Sequence, residues 1–295
     1  MPGRVSNVDP VKSARLHLGM GEKLEPPHVG CYGSKGGEPS DVGRYGSEGI
    51  GGGLEFLLWQ LADSAFPTGG FAHSAGLEAA WQHGEVRNRA DLLAFLETNL
   101  RQLGRVALPF VNTAYHEPGR LVELDELCDA FLTNHVTNRA SRLQGRAFLT
   151  AVERVFLEGG GKGDPMHASR VRVGGGDELP AGIGTHGRDA RATTTTFAHF
   201  APVFGACLRR LEVPMETSTR LFFFNHLRAI LASAVRLNIV GPMEAQVLQH
   251  RLATLAEEMA VRSAAYTLDD LAQTAPLLDL WQGAQDRLYS RLFQS

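Results

Sequence analysis

Cysteine is scarce in this 295-residue chain, and long apolar runs are missing. The three cysteines, Cys31, Cys128 and Cys207, are odd in number and far apart, with no C-x-x-C pair. That fits a reducing compartment better than a disulfide framework. No stretch approaches the roughly 18 consecutive apolar residues of a membrane-spanning helix, and the first 30 residues lack the apolar region of a secretory signal. A cytoplasmic protein is expected. Arg4, Lys12 and Arg15 would suit an organellar leader, but Asp9, Glu22 and Glu25 weigh against one. Charge of one sign is lacking too: 29 Lys and Arg stand against 32 Asp and Glu, for a net charge of -3. Without a basic field, neither a nucleic-acid nor a membrane partner is expected.

Recognisable catalytic and metal motifs are equally sparse. A phosphate-binding P-loop needs Gly-Lys followed by Ser or Thr, whereas Lys35 is followed by Gly36 and Lys162 by Gly163. Gly182-Ile183-Gly184-Thr185-His186-Gly187 matches a dinucleotide fingerprint, but it lies in a glycine-dense stretch where chance matches are easy. None of the 11 histidines is paired at i, i+4, and no H-x-H or H-E-x-x-H occurs. No cofactor or metal site is therefore expected. Ala72-His73-Ser74-Ala75-Gly76 comes within one residue of the G-x-S-x-G nucleophile elbow, which makes a serine hydrolase using Ser74 the alternative reading. That elbow needs a preceding strand. The residues before Gly69 instead form a helical stripe ended by Pro67.

What is present is helix. Leu54, Leu57, Leu58, Leu61 and Ala62 recur at i, i+3, i+4, i+7 and i+8, and Leu143 to Phe156 and Phe200 to Leu211 repeat the pattern. Further stripes run over Leu92–Leu103, Leu121–Leu132, Leu221–Leu237 and Val247–Met259. The fold class is all-α, a single multi-helix domain. Of 33 glycines, 13 fall in residues 1–53 and 10 in residues 159–198. These predict a disordered N-terminal arm over 1–53 and a low-complexity insertion loop over 159–198, flanking and interrupting a helical domain over 54–295. Gly241-Pro242 predicts a left-handed helix stop followed directly by a new helix.

The final residues, Tyr289-Ser290-Arg291-Leu292-Phe293-Gln294-Ser295, are more apolar than a fraying terminus should be. Burying a Leu or Phe stabilises by about 1.5–3 kcal/mol, so this tail is expected to dock on its own core or on a partner. Tyr, Arg and Phe are favoured interface anchors.

Two blocks carry a resemblance. Pro67-Thr68-Gly69-Gly70-Phe71-Ala72-His73-Ser74-Ala75-Gly76-Leu77-Glu78 resembles the Pro-x-Gly-x-Phe-x-x-Ser-x-Gly-Leu-Glu signature of the urease accessory protein UreF family. Tyr289-Ser290-Arg291-Leu292-Phe293 is similar to that family's C-terminal Tyr-Ser-Arg-Leu-Phe. Ala234-Val235-Arg236-Leu237, followed by Gly241 and Gln246, is similar to its helix–corner–helix. The long arm, the 159–198 loop and Pro242 depart from the common bacterial pattern, and Pro242 is similar to eukaryotic members.

The resemblance implies a non-enzymatic urease maturation factor. It would join a UreD-type protein (also called UreH) and the UreG GTPase to apo-urease, with nickel and GTP handled by the assembly. It also implies a homodimer. Tyr289, Ser290, Arg291, Leu292 and Phe293 become the expected UreD contact. Pro67, Gly69, Phe71, His73, Ser74, Gly76, Glu78 and Arg236 become either a structural corner or a partner-facing edge. Pro67, Gly69 and Gly76 suit backbone demands, whereas His73, Ser74 and Glu78 are the polar members able to reach outward.

Overall fold

The apolar stripes fold as helices wherever the chain is described. The structure, a computed structural model, describes residues 50–157 and 197–295. Residues 1–49 of the expected arm, residues 159–196 of the expected loop, Cys31 and the Gly182–Gly187 string lie outside the described residues. Helices α1 (Ile50–Ala62), α2 (Leu77–Gln82), α3 (Arg89–Val106), α4 (Leu108–His116), α5 (Leu121–Phe131) and α6 (His135–Val152) precede the insertion. Helices α7 (Phe200–Arg210), α8 (Met215–Arg236), α9 (Pro242–Ser263) and α10 (Pro276–Ala284) follow it. The described residues contain no strand, so the all-α reading holds. Helix α1 starts at Ile50 and takes in Gly51, Gly52 and Gly53, which the glycine count had assigned to the arm.

Helix ends follow local chemistry. The Asn88 side chain accepts the amides of Ala90 at 2.8 Å and Asp91 at 3.1 Å to start α3, and Asn134 does the same for Val136 and Thr137 at α6. Buried Asn112 donates to the carbonyls of Ser263, Ala264 and Tyr266, tying α4 to the chain where it leaves α9.

The α8–α9 corner differs from the expectation. Gly241 is extended, with φ -77° and ψ 164°, and the left-handed residue is Asn238 at φ 56°. The Asn238 amide donates to Val235 O at 3.0 Å and the Ile239 amide to Ala234 O at 3.0 Å, the double bond of a Schellman stop. Asn tolerates the left-handed well because its short polar side chain is less obstructed there, so the glycine was not needed for the stop.

Helix α8 is the central element, packed against α1, α2, α3, α4, α7 and α9. Its Phe222 ring meets Phe204 of α7 at 5.0 Å and Phe200 at 5.6 Å, and Phe148 of α6 stacks on Phe204 at 5.3 Å. These offset and edge contacts add to area burial and join the helices on either side of the insertion.

The chain returns from the insertion onto a buried charge. Asp125 on α5, fully buried, accepts the backbone amides of Phe197 at 2.8 Å, Ala198 at 2.9 Å and His199 at 2.7 Å. Gly145 on α6 lets the returning backbone approach: a Cβ there would lie 1.9 Å from the Ala198 carbonyl oxygen. Ala198 and His199 are buried, so the packed domain resumes at Phe197 rather than after residue 198 as expected.

Candidate functional site

Block Pro67–Glu78 builds a corner from backbone demands. After α1 the chain turns through Gly69 at φ 70°, makes a 3₁₀ turn over Gly70–Ala72, and passes Ala75 at φ 53° and Gly76 at φ 85° before α2 begins. Gly76 meets two constraints: its φ is left-handed, and a Cβ would come within 3.0 Å of the Gln282 amide nitrogen on α10. His73, Ser74 and Glu78 are all buried. None reaches outward; Pro67 and Phe71 are the exposed members, Phe71 at 71%.

The buried side of this corner is where the C-terminal tail lands. The Glu78 carboxylate accepts the backbone amides of Leu292 at 2.6 Å and Phe293 at 3.1 Å, and the buried Gln285 amide at 2.6 Å. Taking a carboxylate out of water costs several kcal/mol unless donors replace its hydration, and these three donors do so. Beside them, the Gln294 amide donates to Ala72 O at 2.8 Å and the Ser74 amide to Ser295 O at 2.5 Å. The His73 Nδ1 is hydrogen-bonded to the Ser295 hydroxyl, and the Ser233 hydroxyl donates to His73 O at 3.3 Å. Arg236 on α8 completes the junction, donating to Phe71 O at 2.5 Å with its guanidinium 4.3 Å above the Phe293 ring. The two sequence blocks are therefore two halves of one structure.

Within the tail, side chains divide between inside and outside. Phe293 is 4% exposed, whereas Leu292 is 50% exposed and Tyr289 is fully exposed. Ser290 offers its carbonyl to Gln82 at 2.9 Å, and Arg291 pairs with Asp286 at 2.9 Å. Asp286 is also forked by Arg139 at 2.8 and 3.0 Å. The Arg139 hydrogen bonds hold its carboxyl below the usual range, against the opposing pull of burial. Burial, and next the Arg139 charge, push the His73 imidazole down to about 4. His73 is thus neutral at pH 7.

This geometry does not make a hydrolase. Ser74 is sealed from solvent behind the tail, no strand leads into it, and its Oγ faces the Glu78 amide at 3.4 Å rather than a base. The His73 ring points instead to Ser295. A substrate carbonyl could not reach the serine, and the elbow-like string is a helix start. Among the described residues no group of three or more His, Cys, Asp or Glu is placed to hold a metal ion. Burial pushes the Cys128 and Cys207 thiols well above their ordinary range, so neither is a ready nucleophile. Among the described residues no helix is long and apolar enough to cross a membrane.

Gln285, Gln82, Asp286 and Arg139 belong to the junction, yet nothing in the sequence singled them out. Each is a polar residue on a helix or short turn, and no spacing rule announces a partner 147 to 208 residues away.

Comparison with known proteins points to the family that the two blocks resemble. A sequence model of the UreF family matches residues 86–253, a stretch that leaves both blocks outside it. "Urease accessory protein F" of Oryza sativa subsp. indica is 38% identical over 237 residues, covering 80% of this chain and 83% of that protein. The protein of the same name from Arabidopsis thaliana is 37% identical over 244 residues, covering 82% and 93%. "Urease accessory protein UreF" of Arthrobacter sp. (strain FB24) is 27% identical over 248 residues, covering 83% and 98%. With a match of that extent and plant relatives at that identity, this chain belongs to the UreF family.

Proposed function

We propose that this chain is a non-catalytic urease maturation factor, a helical adaptor that joins a UreD/UreH-type protein and the UreG GTPase to apo-urease during GTP-dependent nickel insertion. Family membership supports the maturation role. The observation that carries the adaptor reading is the divided tail: Glu78 fixes its backbone and Phe293 plugs it into the core, while Tyr289 and Leu292 are held facing solvent. An apolar pair presented on a clamped backbone loses little conformational freedom on binding, which favours docking. The tail is the proposed UreD contact, and Phe71, exposed beside it, extends the same surface. Exposed Phe56 and Trp59 on α1 and Met243 and Val247 on α9 support further contacts, including the homodimer. Nickel is cargo of the assembly in this reading, and GTP belongs to UreG.

The test is reconstitution. Adding the purified full chain to apo-urease, a UreD-type protein, UreG, GTP and nickel should raise urea hydrolysis, and the chain should retain the UreD-type protein in a pull-down. No gain and no retention would end the proposal.

A further inference from the structure

One face of α6 carries positive charge at helical spacing. Arg139, Arg142 and Arg146 stand at i, i+3 and i+7, so they share a face, and with Leu143 and Asp129 they line an open groove of about 560 Å³. Three arginines meet one carboxylate there, in a chain whose overall charge is -3. The nearby acids are already shared. Asp286 takes both Arg139 and Arg291, and Asp129 takes His199 and Asn138 at hydrogen-bond distance but Arg142 only at 3.7 Å. A guanidinium has five donors, and Arg142 spends its face on the Phe197 ring at 4.8 Å, leaving N–H groups for another acceptor. Arg146 is exposed, its Nε donating to the Arg142 carbonyl at 3.2 Å. Between them Leu143 is 42% exposed.

The geometry points to a docking groove for an acidic, partly apolar segment of a partner protein, its carboxylates meeting Arg142 and Arg146 and an apolar side chain covering Leu143. Charge complementarity selects the occupant, and forked guanidinium–carboxylate pairs supply the specificity. A nucleic-acid strand fits less well, because the basic face is one helix long, Asp129 sits in its wall, and the whole chain has no attracting field. The groove ends at the tail, since Arg139 also donates to Gln294 O at 3.3 Å. The inference deepens the adaptor reading and rests on it for the presence of a protein partner.

Fluorescence anisotropy with the full chain tests it, using a labelled peptide repeating Glu-Glu-Leu, its Gln-Gln-Leu counterpart, and inorganic phosphate as competitor. The Glu peptide should bind at least about tenfold more tightly than the Gln peptide. Arg146→Glu should weaken binding about fivefold or more without moving the melting temperature, while Arg262→Glu on exposed α9 changes it less than about twofold. Arg142→Gln should also weaken it. If that variant unfolds through loss of the Phe197 contact, Arg146→Glu alone decides. Equal binding of the two peptides, an unaffected Arg146→Glu, or full displacement by phosphate would overturn the proposal, the last marking a phosphate site. Wild-type reconstitution separates the two readings. Peptide binding without any gain in urease activation sinks the adaptor and leaves the groove, whereas activation without peptide binding sinks the groove alone.

Discussion

Asp125 on α5 takes the amides of Phe197, Ala198 and His199; Glu78 on α2 takes those of Leu292 and Phe293. In both places a buried carboxylate receives a stretch of chain returning from far along the sequence, and in both a glycine, Gly145 or Gly76, clears the approach of neighbouring backbone. The held stretches differ in where their side chains go. After Asp125, Ala198 and His199 are buried and lead straight into α7 and the aromatic core. After Glu78, Phe293 and Ser295 go in, and Tyr289 and Leu292 stay outside. One device therefore serves two ends: at Asp125 it closes the fold, and at Glu78 it displays a surface.

The comparison breaks most visibly at Asp125. Replacing it with Ala strands three amides, two of them fully buried, and a loss of about 4 kcal/mol is expected by urea denaturation. A change under about 1 kcal/mol would mean water replaces the carboxylate. Phe293→Ala should cost less, about 3 kcal/mol, because it removes core packing and the Arg236 contact while leaving the Glu78 bonds in place. If stability were unchanged, the tail would not be part of the fold.

Acid sharpens the contrast. The folded-state pKa of His73 lies near 4, below the ordinary 6.5. The unfolded chain therefore takes up a proton that the folded chain refuses, and stability falls as pH drops from about 6.5 towards 4. Above pH 7 both states are neutral and this slope vanishes. The loss is up to about 3 kcal/mol, and partly buried His226, also pushed down to about 4 by burial, adds to it. Burial lowers the pKa of His199 beside Asp125 too, but Asp129, 3.1 Å away, opposes that shift. The tail should accordingly become protease-sensitive before the Phe197 return does, and His73→Asn should flatten the slope. Equal sensitivity at both sites would remove the distinction.

The smallest expected stability effect is at Tyr289. Its Ala variant should change stability by less than about 0.5 kcal/mol. In a pull-down it should nonetheless weaken retention of the UreD-type protein, and a variant that binds normally would leave the displayed half of the tail without its proposed role.

Much of this was legible beforehand. The helices were, because each apolar stripe is a local pattern at 3.6 residues per turn, and the residues of both blocks could be named one by one. The α8 stop was misplaced because Asn238 and Gly241 both suit a turn, and only the backbone shows which adopts positive φ. Glycine content likewise drew residues 51–53 out of a helix they occupy, since composition averages over positions that packing treats separately.

The sequence by itself determined an all-helical protein and the residues of its two signature blocks, because helical periodicity and turn chemistry act over a few neighbouring positions. It said nothing of Asp125, one of 32 acidic residues and indistinguishable from the rest. Nor did it reveal that Glu78 and Phe293, 215 positions apart, are partners. Tertiary structure alone decided which carboxylates were buried, because the helices must first pack before a returning backbone amide can stand in for water.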